Sequence, residues 1–285
     1  MKNLEISRRR FILSAGLGAV GLAGLLGDAY FVEPDHLVVE RIEARLPRLD
    51  PRLDGLKIVQ LSDFHYVDER DGNLIRHAVE SSNKLSPDLV VLTGDYVTIS
   101  VRHPKLAARH AAPCAEILSD LRAPMGTFGV LGNHDQCDPE FVTRALETHG
   151  ITVVRNYALW VERSGVRVWV AGVDDVLERK ARLDQTLRTI PPDELTILLA
   201  HEPDFADEVK KFPVDLQLSG HSHGGQIRLP LLGMPYLPPL ARKYPLGYRR
   251  LGSLSLYTNR GLGTTFLPMR FDAPPEVTLI TLRSV

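Results

Sequence analysis

From about Leu37 onward, short apolar runs alternate with amphipathic stretches. Lys57–Leu61, Leu89–Leu92, Phe128–Leu131, Val166–Ala171, Thr196–Ala200 and Leu216–Leu218 are compact apolar runs, and each predicts a buried strand. Helical patterns lie between several of them, at roughly Leu74–Lys84, Lys105–Leu121, Pro139–Thr148 and Asp184–Thr189. Such alternation predicts an α/β layered domain with buried sheets. Gly165 and its flanking strands read as a plain hairpin. From about Leu246 to Leu282, short strand patterns with Gly and Pro turns suggest a second sheet packed on the first.

The first thirty residues follow a different pattern. Arg8, Arg9 and Arg10 precede an apolar run from Phe11 to Leu26, in which only Ser14 is polar. A basic cluster followed by an apolar stretch is the layout of an export signal, and Ser-Arg-Arg-Arg-Phe-Ile-Leu resembles a twin-arginine signal. The run spans 16 residues, against roughly 20 for a stable membrane span. Gly27-Asp28-Ala29 offers small residues for cleavage without a clean Ala-x-Ala. Residues 1–29 are therefore expected to be a cleaved signal or a retained membrane anchor, and 37–285 the folded domain. The expected location is the bacterial cell envelope, with a cytoplasm-facing, membrane-associated protein as the alternative.

A domain of this length can bury a sizeable core, and 44% hydrophobic with 24% charged residues excludes global disorder. The formal net charge of -1 gives no footprint for general nucleic-acid binding. Two cysteines, Cys114 and Cys137, are too few for a disulfide scaffold and lack zinc spacing, leaving one disulfide or two free thiols.

Polar chemistry collects where apolar runs stop. Leu61 is followed by Ser-Asp-Phe-His, Leu92 by Thr-Gly-Asp and Leu131 by Gly-Asn-His-Asp; Ala200 is followed by His-Glu-Pro, and Leu218 by Ser-Gly-His-Ser-His. Open α/β sheets bind ligands at the carboxyl ends of their strands, so five such ends can converge on one crevice. In an extended chain, Asp63 and His65 would point to one side, as would His221 and His223. Gly94, Gly132 and Gly220 allow sharp turns and close backbone approach beside these residues. Any one motif alone would read as a cap or a turn. Five of the ten histidines lie in them, in one ordered set.

That ordered set resembles the calcineurin-like metallophosphoesterases, over about residues 56 to 283. The resemblance implies a four-layer α-β-β-α sandwich of two mixed sheets, with a dimetal site at strand C-terminal ends. It implies one metal held by Asp63, His65 and His223, a second held by Asn133, His201 and His221, and Asp95 bridging them. No ligand position is missing. By the same resemblance His134 is not a ligand but a catalytic residue that binds the phosphate and stabilises or protonates the leaving oxygen. Asp135 either fixes the His134 tautomer or caps a helix. Mixed oxygen and imidazole donors suit two divalent ions such as Mn²⁺, Fe²⁺ or Zn²⁺ better than Ca²⁺. Such a pair supplies a bridging hydroxide at neutral pH and neutralises the phosphoryl oxygens.

Gly220–Pro230 and the stretch from Asn259 to Glu276 resemble the exported bacterial branch of that family. Its members include phosphodiesterases and relatives that cleave the pyrophosphate of UDP-2,3-diacylglucosamine. The expected substrate is thus a phosphodiester or pyrophosphate, small or lipid-linked. A phosphomonoesterase with the same metal core and a metal-bound envelope binding module are the alternatives; the complete ligand set and His134 argue against the second. Arg228, Arg242, Arg249, Arg250 and Arg270 are candidate phosphate clamps, with surface charge the default for each. The apolar, Pro-rich run Leu229–Leu240 reads first as a rigid loop packed on the core, and second as a loop beside the site that meets acyl chains or a membrane.

Overall fold

The computed structural model describes residues 20–21, 23–99 and 104–285. The arginine cluster and most of the apolar run behind it lie outside the described residues. A helix, α1, runs through residues 20–21 and 23–31. No helix among the described residues is long and apolar enough to cross a membrane.

Among the described residues, twelve strands form two six-stranded mixed sheets. The first has the order β1 (Val38–Leu46), β12 (Glu276–Ser284), β2 (Lys57–Leu61), β3 (Leu89–Leu92), β4 (Thr127–Gly129) and β5 (Thr152–Val153). The second runs β10 (Gly247–Leu251), β11 (Leu254–Thr258), β9 (Leu216–Ser219), β8 (Leu195–Leu199), β7 (Val166–Gly172) and β6 (Tyr157–Arg163). β2 to β5 pair in parallel, as do β7, β8, β9 and β11, so the ends that carry polar motifs point one way within each sheet. The C-terminal strands divide between the sheets. β10 and β11 extend the second sheet as expected, but β12 returns to the first, between β1 and β2.

Alternation along each strand sorts the core into layers. Ile58, Leu89, Val91, Val168, Val170, Ile197, Leu199 and Leu218 meet between the sheets. Val59, Leu61, Val90 and Leu92 face α2 (Glu69–Lys84), α4 (Ala111–Leu118) and α5 (Pro139–Thr148). Leu198 and Leu256 face α6 (Leu183–Leu187) and α7 (Ala206–Val209). The result is the α-β-β-α sandwich. Gln60 crosses the central layer, its amide donating to Thr93 Oγ1 at 3.0 Å and to the Ser219 carbonyl at 2.9 Å.

Helix ends account for the departures from the periodicity. α2 starts five residues before Leu74, because its first turn is polar and is set by a capping box between Asp68 and Asp71. The Lys105–Leu121 pattern is two helices: α3 (Pro104–Ala108) ends and α4 begins at Ala111, which places Pro113 in a first turn, where its missing N–H costs no helical bond. Cys114 is buried and Cys137 half-buried; both are free thiols.

Candidate metal centre

Asp63 and His65 follow β2, Asp95 follows β3, and Asn133 and His134 follow β4. From the second sheet come His201 after β8 and His221 with His223 after β9. All eight meet where the carboxyl ends of the two sheets face each other. Their loops are not extended. Asp63 (φ 51°), His65 (47°), Asp95 (56°), His221 (68°) and His223 (51°) all adopt left-handed conformations. The i, i+2 pairs therefore converge through turns rather than through strand alternation, which corrects the expectation from spacing. Side chains seldom accept this region unless the surroundings fix them, and such residues cluster at functional sites.

Backbone bonds supply that fixation. Asp63 and His65 donate their N–H groups to the carbonyls of Gly94 (2.9 Å) and Asp95 (3.1 Å), so the loops after β2 and β3 run side by side. The Asp135 carboxylate accepts four backbone N–H groups, from Asp95 (2.8 Å), Tyr96 (2.9 Å), Val97 (3.3 Å) and Gly132 (2.9 Å). It ties the Asp95 loop to the Asn133 loop. Asp135 thus neither caps α5, whose N-cap is Asp138, nor bonds His134. Gly132 and Gly220 are needed for close approach: an added Cβ would overlap the Asp95 carboxylate at the first and Ser62 with Asp63 at the second.

The donor atoms fall into sets. Asp63, His65 and His223 place one ligand atom each within 4.8 Å of one another, as do Asp95, His201 and His221. His223 Nε2 stands 3.4 Å from Asp63 Oδ1 and 3.1 Å from His65 Nε2. Asp95 Oδ2 lies 3.6 Å from His65 Nε2 and 3.2 Å from His201 Nε2, between the two sets. The far nitrogens are held by the protein. His201 Nδ1 donates to the Thr93 carbonyl at 2.6 Å, which turns Nε2 toward Asp95; His221 Nε2 donates to the Pro239 carbonyl at 2.9 Å, which frees Nδ1. His201 Nε2, His223 Nδ1 and Asn133 Oδ1 are buried without a hydrogen-bond partner among the described residues. Orphaned buried donors and acceptors around mixed oxygen and imidazole groups are what a pair of divalent cations fits.

The protonation pattern agrees. Burial lowers His65 to about 3 and His221 to about 4, and with His65 alongside it also drives His223 well below the usual imidazole range. All three present neutral rings with lone pairs. Burial raises Asp63 to about 6. His201 is buried, yet the Asp95 carboxylate lifts it well above its ordinary value; Asp95, despite its own burial, is held low by His201 and His134. Asp95 Oδ2 and His201 Nε2 approach to 3.2 Å, and a cation bound there would take the place of the imidazole proton.

A cavity of about 670 Å³ opens over Asp95, Asn133, His134, His221 and His223. Its far walls are apolar, built from Leu177, Ile227, Pro235, Tyr236, Phe266 and Leu267 among others. None of the five candidate arginines lines it. Arg270 is fully buried and donates to the carbonyls of Ala273, Arg260, Gly261 and Gly263, so it is a loop brace. Arg250 bonds the Arg45 and Gly252 carbonyls on the edge strand, Arg249 is exposed beside it, Arg242 is exposed, and Arg228 pairs with Asp272 at 3.3 Å. The 229–240 loop also departs from the first expectation. None of its residues is buried, and Pro235, Tyr236, Pro238 and Pro239 form cavity wall.

Two residues escaped sequence reasoning. Glu202, buried beside His201, accepts the N–H groups of Val176 and Leu177 at 3.3 Å each and so places Leu177 in the cavity wall. Its position directly after a metal-ligand type was the available signal. Gln226 accepts the Thr265 N–H at 2.9 Å and donates to the carbonyls of Thr265 and Leu267 at 3.0 and 2.9 Å, holding the opposite wall; nothing in its local sequence signals that role.

The chain matches the calcineurin-like phosphoesterase family over residues 56–225. It is 36% identical to the uncharacterized metallophosphoesterase YkuE of Bacillus subtilis, over 98% of this chain and 99% of that one. It is 31% identical to the phosphodiesterase YaeI of Escherichia coli, over 97% and 99% of the two chains. It is 28% identical to the UDP-2,3-diacylglucosamine pyrophosphatase LpxG of Chlamydia muridarum, over 88% and 91%. Fold, clustered donors and similarity along the whole chain lead to one statement: this protein is a calcineurin-like metallophosphoesterase, a metal-dependent phosphoric ester hydrolase.

Proposed function

We propose that the protein hydrolyses phosphodiesters or pyrophosphates with two divalent ions, one on Asp63, His65 and His223 and the other on Asn133, His201 and His221, with Asp95 shared. The position of Asp95 Oδ2 between His65 and His201 carries this reading. When bound, the ions supply charge neutralisation at phosphorus and a hydroxide at neutral pH. Each ion draws ligands from both sheets, so neither sheet alone completes a site.

His134 is the hydrogen-bond donor to the leaving oxygen in this reading. Its Nδ1 accepts the Ile99 N–H at 3.0 Å, so in the neutral ring the proton sits on Nε2. His134 lines the cavity, where its Nε2–H can donate a hydrogen bond to a departing oxygen and stabilise the charge that develops there. The lining favours a diester over a monoester. A monoester dianion calls for further cations, and no lysine or arginine is among the described lining residues.

Rates on bis(p-nitrophenyl) phosphate and p-nitrophenyl phosphate, with metal content measured on the same sample, test the proposal. Two ions per chain and faster diester turnover are expected. One ion, or faster monoester turnover, rules it out. The relatives' names bring UDP-2,3-diacylglucosamine in as a candidate substrate, and released UMP in the presence of Mn²⁺ is its readout.

A further inference from the structure

The two loops that wall the cavity carry large apolar side chains in the open. Leu231, Leu232, Tyr236, Phe266 and Leu267 are all exposed, Leu232 at 77% and Phe266 at 85%. Two separate loops contribute them, and the structure holds those loops as one wall. Gln226 bonds the backbone of Thr265 and Leu267, and the Tyr236 and Phe266 rings meet edge to face at 6.2 Å. Leu229 and Gly233 exchange backbone bonds at 2.7 and 2.9 Å, which closes a tight turn with Leu231 and Leu232 at its tip. Leu231 (φ 68°) and Phe266 (φ 60°) sit in left-handed backbone. Folding gains nothing from placing a strained leucine and phenylalanine in water; a surface that takes them up does.

The occupant is indicated by what joins this wall. The loop that bears Phe266 and Leu267 continues to Arg270, whose N–H bonds the Ala29 carbonyl of α1 at 2.9 Å, and to Ala273, whose N–H bonds Glu33 at 2.5 Å. α1 itself exposes Val20, Leu25, Leu26 and Phe31 and continues the apolar run that starts at Phe11. The segment of the chain with membrane-seeking composition therefore meets the body of the protein on the loop that forms the cavity rim.

We propose that the rim of residues 231–236 and 266–267 docks on a lipid bilayer, so that the cavity takes phosphodiesters whose other end is an alkyl or acyl chain. Interfacial Tyr and Phe with leucines at a loop tip suit the headgroup boundary. The choice of ester rests on the phosphodiesterase reading above; the docking does not.

Two measurements on the full chain separate these. First, Leu232→Trp is mixed with vesicles of phosphatidylcholine bearing bromine on the acyl chains, and the unsubstituted chain, with Trp160 and Trp169, sets the background. Quenching of about twofold or more beyond background is expected for a side chain at acyl depth. Quenching no greater than background overturns the proposal. Second, hexadecyl and ethyl p-nitrophenyl phosphate are compared in unlabelled vesicles. The double variant Leu231→Glu, Leu232→Glu should lower the hexadecyl-to-ethyl rate ratio about tenfold. An unchanged ratio overturns the proposal, as does lipid-free dimerisation of the unsubstituted chain that the double variant abolishes, which would assign the rim to a second copy. Quenching without turnover of either ester would uphold the docking and refute the phosphodiesterase reading.

Discussion

The Ile99 backbone N–H donates to His134 Nδ1 at 3.0 Å, and this contact fixes which imidazole nitrogen faces the cavity. His134→Ala should lower kcat by about 10²–10⁴ and leave metal content unchanged. The loss should be larger for an ethyl than for a p-nitrophenyl leaving group, because the poorer leaving group develops more charge for the Nε2–H hydrogen bond to stabilise. An equal loss on both would remove His134 from leaving-group stabilisation.

Asp135 accepts four backbone N–H groups that belong to two of the loops carrying candidate ligands. Asp135→Ala leaves four buried donors unpaired, and a loss of about 3 kcal/mol in urea denaturation is expected. Metal affinity should fall about 10–100-fold, since the ligands are untouched but their backbone is released. Unchanged affinity would mean that the loops hold their shape without it.

At Gly220 an added methyl group would meet Ser62 and the Asp63 carboxylate. Gly220→Ala should therefore displace Asp63 and reduce bound metal from two ions to one, as read by elemental analysis. Retention of both ions would show that the loop after β9 yields to the methyl.

Glu202 gives the metal-free protein a pH dependence. Burial, with Asp175 alongside, pushes its carboxyl from 4.5 up to about 8. Below the lower value both folded and unfolded chains hold the proton. Between the two values only the folded chain holds it, so unfolding releases a proton and stability falls as pH rises. The slope approaches about 1.4 kcal/mol per pH unit. In EDTA, the melting temperature should drop from pH 5 to pH 8 by more in the parent protein than in Glu202→Gln. Parallel curves would place the titration elsewhere.

The order of ligand types along the chain was legible because each sits where an apolar run ends, and all eight residues meet in space. Their backbone shape was not. Spacing at i and i+2 reads as extended chain, whereas Asp63, His65, His221 and His223 are left-handed, the first three with N–H groups bonded to distant loops. Two further expectations were reversed. Arg270 looks like a surface cation but is enclosed by carbonyls, and the 229–240 loop has core-like composition but lies open. β12 reads as part of a second sheet because strand patterns do not encode partners, and its pairing with β1 and β2 puts it in the first.

That placement of β12 has a consequence for how the protein is made. β2 carries Asp63 and His65, and its neighbour on one side is a strand from residues 276–284. During synthesis the earlier strands emerge while this slot is still empty, so the first sheet cannot close on the ribosome strand by strand. The nascent chain must wait with two unpaired strand edges, β1 and β2, available to other chains. Chaperone dependence during expression and sensitivity to C-terminal truncation follow from sheet order alone.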